Sequence, residues 1–236
     1  MTSKLKTRYL TGTKENNTHS TFILLNAGAG RRTKNYGNKC LIKYQDKKII
    51  DHQIDAIKKT YSHDVDIIVV AGFMALNLLQ KLGNIRIIEN IQYETLNIAE
   101  SMRLAVNASL KGDVFFIHGD LFFTPSFIIP PDKHHIYIPV DKKNRMQKDE
   151  VGVIVEETLG DVKNFAYGLP IKWCQISFFP STSFEILKTA LNNVDKNLNS
   201  FEVLNYLMEK PYHMDIRYFE SPKGKIKEID SIRDTK

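Results

Sequence analysis

Phe22-Ile-Leu-Leu-Asn-Ala-Gly28-Ala-Gly30-Arg-Arg32, followed after a short gap by Gly37-Asn-Lys39, is the stretch that decides how this chain folds. Residues 21–26 form a short apolar run of the kind a buried strand needs. The glycines directly after it let the backbone turn sharply and approach a ligand closely. Arg32 and Lys39 place positive charge beside that backbone. A strand feeding such a loop suits a polyanion, for example a nucleoside triphosphate.

Outward from this loop, apolar runs alternate with helical periodicity. Ile50, Ile54 and Ile57 recur at helical spacing within 49–60. Residues 65–71 read as a second strand, 74–82 as a helix closed by Gly83, 85–88 as a short strand and 96–110 as a helix. Residues 114–117 form a fourth apolar strand that ends in His118-Gly119-Asp120. Alternation of this kind argues for βαβ units around a parallel sheet, an α/β fold. Beyond Asp120 the pattern becomes richer in strands. Residues 135–140, 151–156, 162–167 and 172–179 read as extended, with Thr158-Leu-Gly160 as a hairpin turn. Residues 183–191 and 201–208 read as helices, and 213–218 as extended. No linker divides the chain, so 21–236 is expected to be a single domain preceded by a flexible or clamping arm at 1–20.

Composition bounds the rest. The chain has 236 residues, 42% hydrophobic and 25% charged, which suits a globular domain with a sizeable core. Its two cysteines, Cys40 and Cys174, make neither a disulfide framework nor a zinc site. No apolar run approaches the roughly 18 residues of a membrane span, and 1–20 lacks the apolar segment of a signal peptide. The expected setting is the cytoplasm, with no membrane partner. The net charge of +6 is concentrated near the loop. Between Ala27 and Lys48 lie seven basic residues against one acid, Asp46. That field attracts phosphate. No recognised nucleic-acid-binding motif is present, so nucleic acid is not an expected partner.

Two familiar phosphate loops do not fit. Gly37-Asn-Lys39-Cys40 lacks the Gly-Lys-Ser/Thr of a P-loop, and Thr33 stands where a dinucleotide fingerprint has its third glycine. What the loop does resemble is the signature of the nucleotidyltransferases that activate sugar phosphates, phosphocholine and related phosphates. Those enzymes carry Ala-Ala-Gly-x-Gly-Ser/Thr-Arg, then Pro-Lys. Here Asn26 replaces an alanine, Arg31 the small hydroxyl residue and Asn38 the proline. Three further segments resemble the family in the same order. They are Asn90-x-x-Tyr93-x-x-x-Asn97-x-x-x-Ser101, the strand ending in Gly119-Asp120, and Glu228-Ile-Asp230 followed by Asp234. The resemblance spans Phe22 to Asp234. It implies a Rossmann-like nucleotidyltransferase fold, a three-layer α/β/α sandwich with a mixed, mostly parallel sheet.

The resemblance also implies roles. Asn26, Ala27, Gly28 and Gly30 would hold the nucleotide, with Arg32 and Lys39 on its phosphates as the catalytic cations. Arg31 and Lys34 read as plain surface. Tyr93 and Asn97 stand where base or ribose is contacted, with helix capping and packing as the other reading; Ser101 reads as packing. Asp120 follows a hydrophobic strand, at the carboxyl edge where open α/β sheets bind ligands. With Asp230 it would form the carboxylate pair that Mg²⁺ takes alongside phosphates and water. Glu228 is a weaker candidate, and His118 reads as a strand-end residue. The acceptor pocket would come from the second half, where Tyr167 and Trp173 are either part of a cage for a quaternary ammonium group or ordinary aromatics of half-buried strands. Glu156 and Gln175 lie in the same half.

The expectation is therefore a Mg²⁺-dependent nucleotidyltransferase. CTP is the favoured donor, and the acceptor is phosphocholine, an aminoalkylphosphonate, or a sugar or polyol phosphate. The sequence is silent on oligomeric state. Two alternatives stand beside it. A nucleotide-sugar-dependent glycosyltransferase would usually show an Asp-x-Asp motif, which His118-Gly119-Asp120 lacks. A non-catalytic nucleotide-binding regulatory protein would accommodate the substitutions Asn26, Arg31 and Asn38.

Overall fold

The computed structural model describes residues 19–28, 37–61, 65–83, 85–143, 148–221 and 223–235. Gly30, Arg31, Arg32 and Lys34 lie outside these, as does the expected arm except for its last two residues. The elements, in chain order, begin with β1 (Ser20–Asn26), β2 (Lys43–Tyr44), β3 (Lys47–Lys48), α1 (Ile49–Thr60), β4 (Val65–Ala71), α2 (Ala75–Leu82) and β5 (Arg86–Glu89). Next come α3 (Ile98–Ala108), β6 (Asp113–His118), β7 (Leu121–Phe123), β8 (Ile136–Asp141), β9 (Val151–Glu156) and β10 (Asp161–Tyr167). The chain continues through β11 (Ile171–Trp173), β12 (Ile176–Phe179), α4 (Phe184–Asn193), α5 (Ser200–Met208), β13 (Ile216–Glu220) and β14 (Ile226–Glu228).

Ten strands form one sheet in the order β11-β9-β10-β13-β8-β12-β6-β1-β4-β5. Its parallel part is β6-β1-β4-β5, built by the alternation of strands and helices in the first half. In the second half β13 runs parallel to β8, while β12 joins the two halves by antiparallel pairing with both β6 and β8. Strands β9, β10 and β11 pair antiparallel. The sheet is therefore mixed.

Alternation of side chains along the strands creates the three layers. Phe22 and Leu24 of β1, Ile67 and Val69 of β4, and Phe115 and Ile117 of β6 pack with α1 and α2. Their neighbours Ile23, Leu25, Ile68, Val70, Val114 and Phe116 face the opposite way and pack with α3, α4 and α5. Strands covered on both faces read as continuous apolar runs, which is why β1, β4 and β6 stand out in the sequence. Among the described residues, no helix is long and apolar enough to cross a membrane.

Two features depart from the sequence expectation. The expected strand at 172–179 is broken into β11 and β12 at Cys174 and Gln175. Gln175 takes a left-handed backbone conformation with φ of 55°. That kink lets the chain leave the β8–β9 side and insert between β6 and β8. The second is a separate two-stranded antiparallel ribbon of β7 and β14, with Leu121 opposite Glu228. Each strand is only three residues long.

Candidate active site

The chain turns where β6 ends, and Gly119-Asp120 forms the turn into β7. Gly119 is required there. Its N–H donates to Leu25 O at 3.1 Å, and a Cβ would lie 1.8 Å from Asn26 Oδ1 and 2.9 Å from Leu25 O. The β7–β14 ribbon then carries the C-terminal segment back to this turn. Ile229 N donates to Asp120 O at 2.8 Å. One ligand oxygen each from Asp120, Glu228 and Asp230 lies within 4.8 Å of the others.

Lys39 joins this cluster from the far side of the loop. Its Nζ donates to Asp120 Oδ2 at 3.1 Å and to Asp230 Oδ1 at 2.6 Å, partners 81 and 191 residues away in sequence. Burial pushes the Lys39 pKa down. The Asp120 and Asp230 carboxylates more than offset this, so its pKa is raised and Lys39 is charged at neutral pH. Lys39 opens a 3₁₀ turn, Lys39–Leu41. The preceding Asn38 is buried and donates through Nδ2 to Phe73 O at 2.6 Å. The residue standing in for the family's proline thus ties the lysine turn to the loop after β4.

Glu228 completes the acidic cluster. Burial, reinforced by the charges of Asp120 and Asp230, pushes its pKa up to about 7. Gln175 Nε2 donates to Glu228 Oε2 at 2.7 Å, so the backbone kink seen above aims a side chain into the site. Lys172 and Lys39 both act against that rise in the Glu228 pKa. Among the described residues, Asp120 Oδ1 is buried with no hydrogen-bond partner. An oxygen-only donor set with a buried, unpartnered carboxylate oxygen is what a hard divalent cation takes. The residues present fit such an ion.

Two clefts meet at this cluster. One, of about 470 Å³, is lined by Asn26, Ala27, Gly28, Lys39, Tyr93 and Asn97, and also by Asp120. The other, of about 500 Å³, is lined by Tyr167, Trp173, Gln175, Glu228 and Asp230. His118 and Asn199 border both. Of the expected nucleotide residues, Asn26, Ala27, Gly28, Tyr93 and Asn97 line one cleft, and the expected acceptor residues Tyr167 and Trp173 line the other; Gly30 lies outside the described residues.

Local roles differ from residue to residue. Asn97 caps α3, its Oδ1 accepting from Ile98 N at 2.9 Å, and its Nδ2 donates to Asn199 Oδ1 at 3.0 Å. Tyr93 packs so tightly on Gly72 that a Cβ there would lie 2.7 Å from it. Ser101 accepts from buried Asn90 Nδ2 at 3.0 Å, a packing role. Trp173 is 2% exposed. Its Nε1 donates to Ile176 O at 2.9 Å, and its ring meets Phe165 and His118 edge-on. It is a wall of the cleft with its donor already used. Tyr167 is exposed and packs edge-on against Phe201, with ring centroids 5.1 Å apart. His118 shares a hydrogen bond of 2.9 Å with Ser200 Oγ. Burial pushes its pKa down, and Lys39 acts in the same direction against Asp120, so the imidazole is neutral at pH 7. Sequence reasoning missed Gln53, whose Nε2 donates to His118 O and Leu121 O; it marked Asn38 only as a departure from proline and left Gln175 without a partner.

Residues 22–130 match the family model described as MobA-like NTP transferase domain. No curated protein matches the chain. Among solved structures, the chain is similar to the CTP:phosphocholine cytidylyltransferase of Streptococcus pneumoniae. The two share 18% identity with a TM-score of 0.71, over 92% of this chain and 96% of that one. The inositol-1-phosphate CTP transferase of T. maritima is similar at 19% identity and a TM-score of 0.70, over 92% and 91% of the two chains. A putative glucose-1-phosphate thymidylyltransferase from Bacillus anthracis is similar at 15% identity and a TM-score of 0.68, over 90% of each.

Proposed function

We propose that this chain, whose residues 22–130 match the MobA-like NTP transferase domain, is a nucleotidyltransferase that uses Mg²⁺ and CTP to activate a phosphorylated small molecule. The observation that supports this reading is the convergence of Lys39, Asp120, Glu228 and Asp230 on the boundary between two clefts. An oxygen of the acceptor phosphate attacks the α-phosphorus of the triphosphate. The bond from that phosphorus to the β-phosphate bridging oxygen breaks, and pyrophosphate leaves.

Such a transfer needs positioning and charge neutralisation more than covalent chemistry. The backbone at Ala27 and Gly28 holds the triphosphate against the sheet edge; Arg32, outside the described residues, keeps the phosphate role that the resemblance implies. Asn26, Tyr93 and Asn97 line the nucleoside end of that cleft. Lys39 is a fixed positive charge beside the reacting phosphates. Asp120 and Asp230, with Glu228 beside them, would hold the divalent cation, which supplies charge neutralisation to the reacting oxygens when bound. Tyr167 and Trp173 line the acceptor side, opposite the nucleotide.

Two kinds of similarity favour CTP. The Asn90-Tyr93-Asn97-Ser101 segment looks like that of the cytidylyltransferase branch, and two of the similar structures carry cytidylyl-transfer names. The acceptor is phosphocholine, an aminoalkylphosphonate, or a sugar or polyol phosphate. The test is a matrix of CTP, UTP and dTTP against these acceptors with Mg²⁺, read as pyrophosphate release. CTP is expected to be turned over fastest with at least one acceptor. Faster turnover of UTP or dTTP with every acceptor would overturn the donor assignment.

A further inference from the structure

Gln53 lies in the middle of α1, on the same apolar stripe as Ile50, Ile54 and Ile57, and is 0% exposed. Burying an amide in an apolar face is unfavourable unless its hydrogen bonds are made. Its Nε2 makes two, donating to His118 O and to Leu121 O, both at 2.9 Å. Because both partners are carbonyl oxygens, they identify which end of the amide carries the N–H groups. Those carbonyls flank Gly119 and Asp120 on either side.

We propose that Gln53 is a positioning residue for the cation site, a staple that holds both ends of the turn aiming Asp120 at Glu228 and Asp230. The inference rests on reading Asp120 as a cation ligand. Within the turn, Gly119 N is held by β1 through Leu25 O and Asp120 O by Ile229 N, while strand pairing holds His118 against β1 and Leu121 against β14. Gln53 is the side chain that ties the two flanks to each other, from the helix. That helix also anchors the segment bearing Lys39, since Ile49 N, at its first residue, donates to Ile42 O at 3.0 Å. One helix therefore sets both the lysine and the carboxylate it meets. Groups that orient a metal ligand typically change metal affinity about 10–100-fold when removed.

The test uses Gln53→Met, similar in length but without donors, and Gln53→Glu, similar in shape. Mn²⁺ binding to the full chain is followed by electron paramagnetic resonance, beside circular dichroism and thermal melting. The expected result is at least about tenfold weaker Mn²⁺ binding by a variant that retains the wild-type spectrum. A folded variant that binds Mn²⁺ within about twofold of wild type overturns the proposal, because a residue that only stabilises the fold does not alter cation affinity in the folded protein. Asp120→Asn is measured alongside. If it binds Mn²⁺ like wild type, the cation reading itself fails; if it loses Mn²⁺ while the Gln53 variants keep it, only the positioning role fails. Should neither variant fold, the Gln53 side-chain amide resonances of the wild-type protein decide. They are expected to shift on addition of Mg²⁺, and resonances that stay in place overturn the proposal.

Discussion

Asp120→Ala is expected to lower pyrophosphate release by about a thousandfold or more, the scale on which loss of a charge-neutralising group in phosphoryl-type transfer is felt. The fold should survive. The turn is held through backbone atoms, by Gln53 Nε2 on its flanks, by Gly119 N and by Ile229 N, none of which uses the Asp120 side chain. Lys39 keeps its 2.6 Å contact with Asp230. Activity and melting temperature measured on the same preparation separate the two effects. Abundant product from Asp120→Ala, at a rate within tenfold of wild type, would remove Asp120 from the centre.

Lys39→Met should give the second-largest loss, about 10²–10³-fold in kcat. Methionine keeps most of the volume and removes the charge. Asp120, Glu228 and Asp230 would then face one another without the ammonium that touches two of them, and like charges at such spacing repel. Lys39→Arg is not expected to rescue the rate. A compact ammonium bridges carboxylates at 3.1 and 2.6 Å, whereas a planar guanidinium has a different size and donor geometry. Comparison of kcat and KM across the three proteins checks this. A loss confined to KM, with kcat intact, would make Lys39 a binding residue only.

Legible in the sequence were strands buried on both faces and helices with one apolar stripe. β1, β4 and β6 are continuous apolar runs because helices cover both faces, and α1 shows its stripe in Ile50, Ile54 and Ile57. Asp120 was legible from its place after such a run. Its meeting with Asp230 came from resemblance, since the β7–β14 ribbon that joins them has three residues per strand. No periodicity can be read from so short a segment. The break in the strand at 172–179 was hidden for a different reason: Gln175 adopts its left-handed backbone without a glycine to announce it.

Gln53 did leave a signal. It is a polar residue on the buried face of an amphipathic helix, and such a residue needs a partner. The partner, a turn about 65 residues away, is not visible in sequence. Asn38 is similar. As the departure from the family's proline it marked an anomaly, and only its hydrogen bond to Phe73 O gives that anomaly a physical purpose.

In the function proposed above, the two clefts meeting at Lys39, Asp120 and Asp230 hold a nucleotide and a phosphorylated acceptor for transfer of a nucleotidyl group. CTP labelled with ³²P at the α-phosphorus, incubated with Mg²⁺ and the phosphorylated acceptors, tests it most directly. Label is expected in a cytidine-diphosphate conjugate, with one pyrophosphate released per conjugate formed. Tight CTP binding with all the label left in CTP, across the whole set of acceptors, would contradict it.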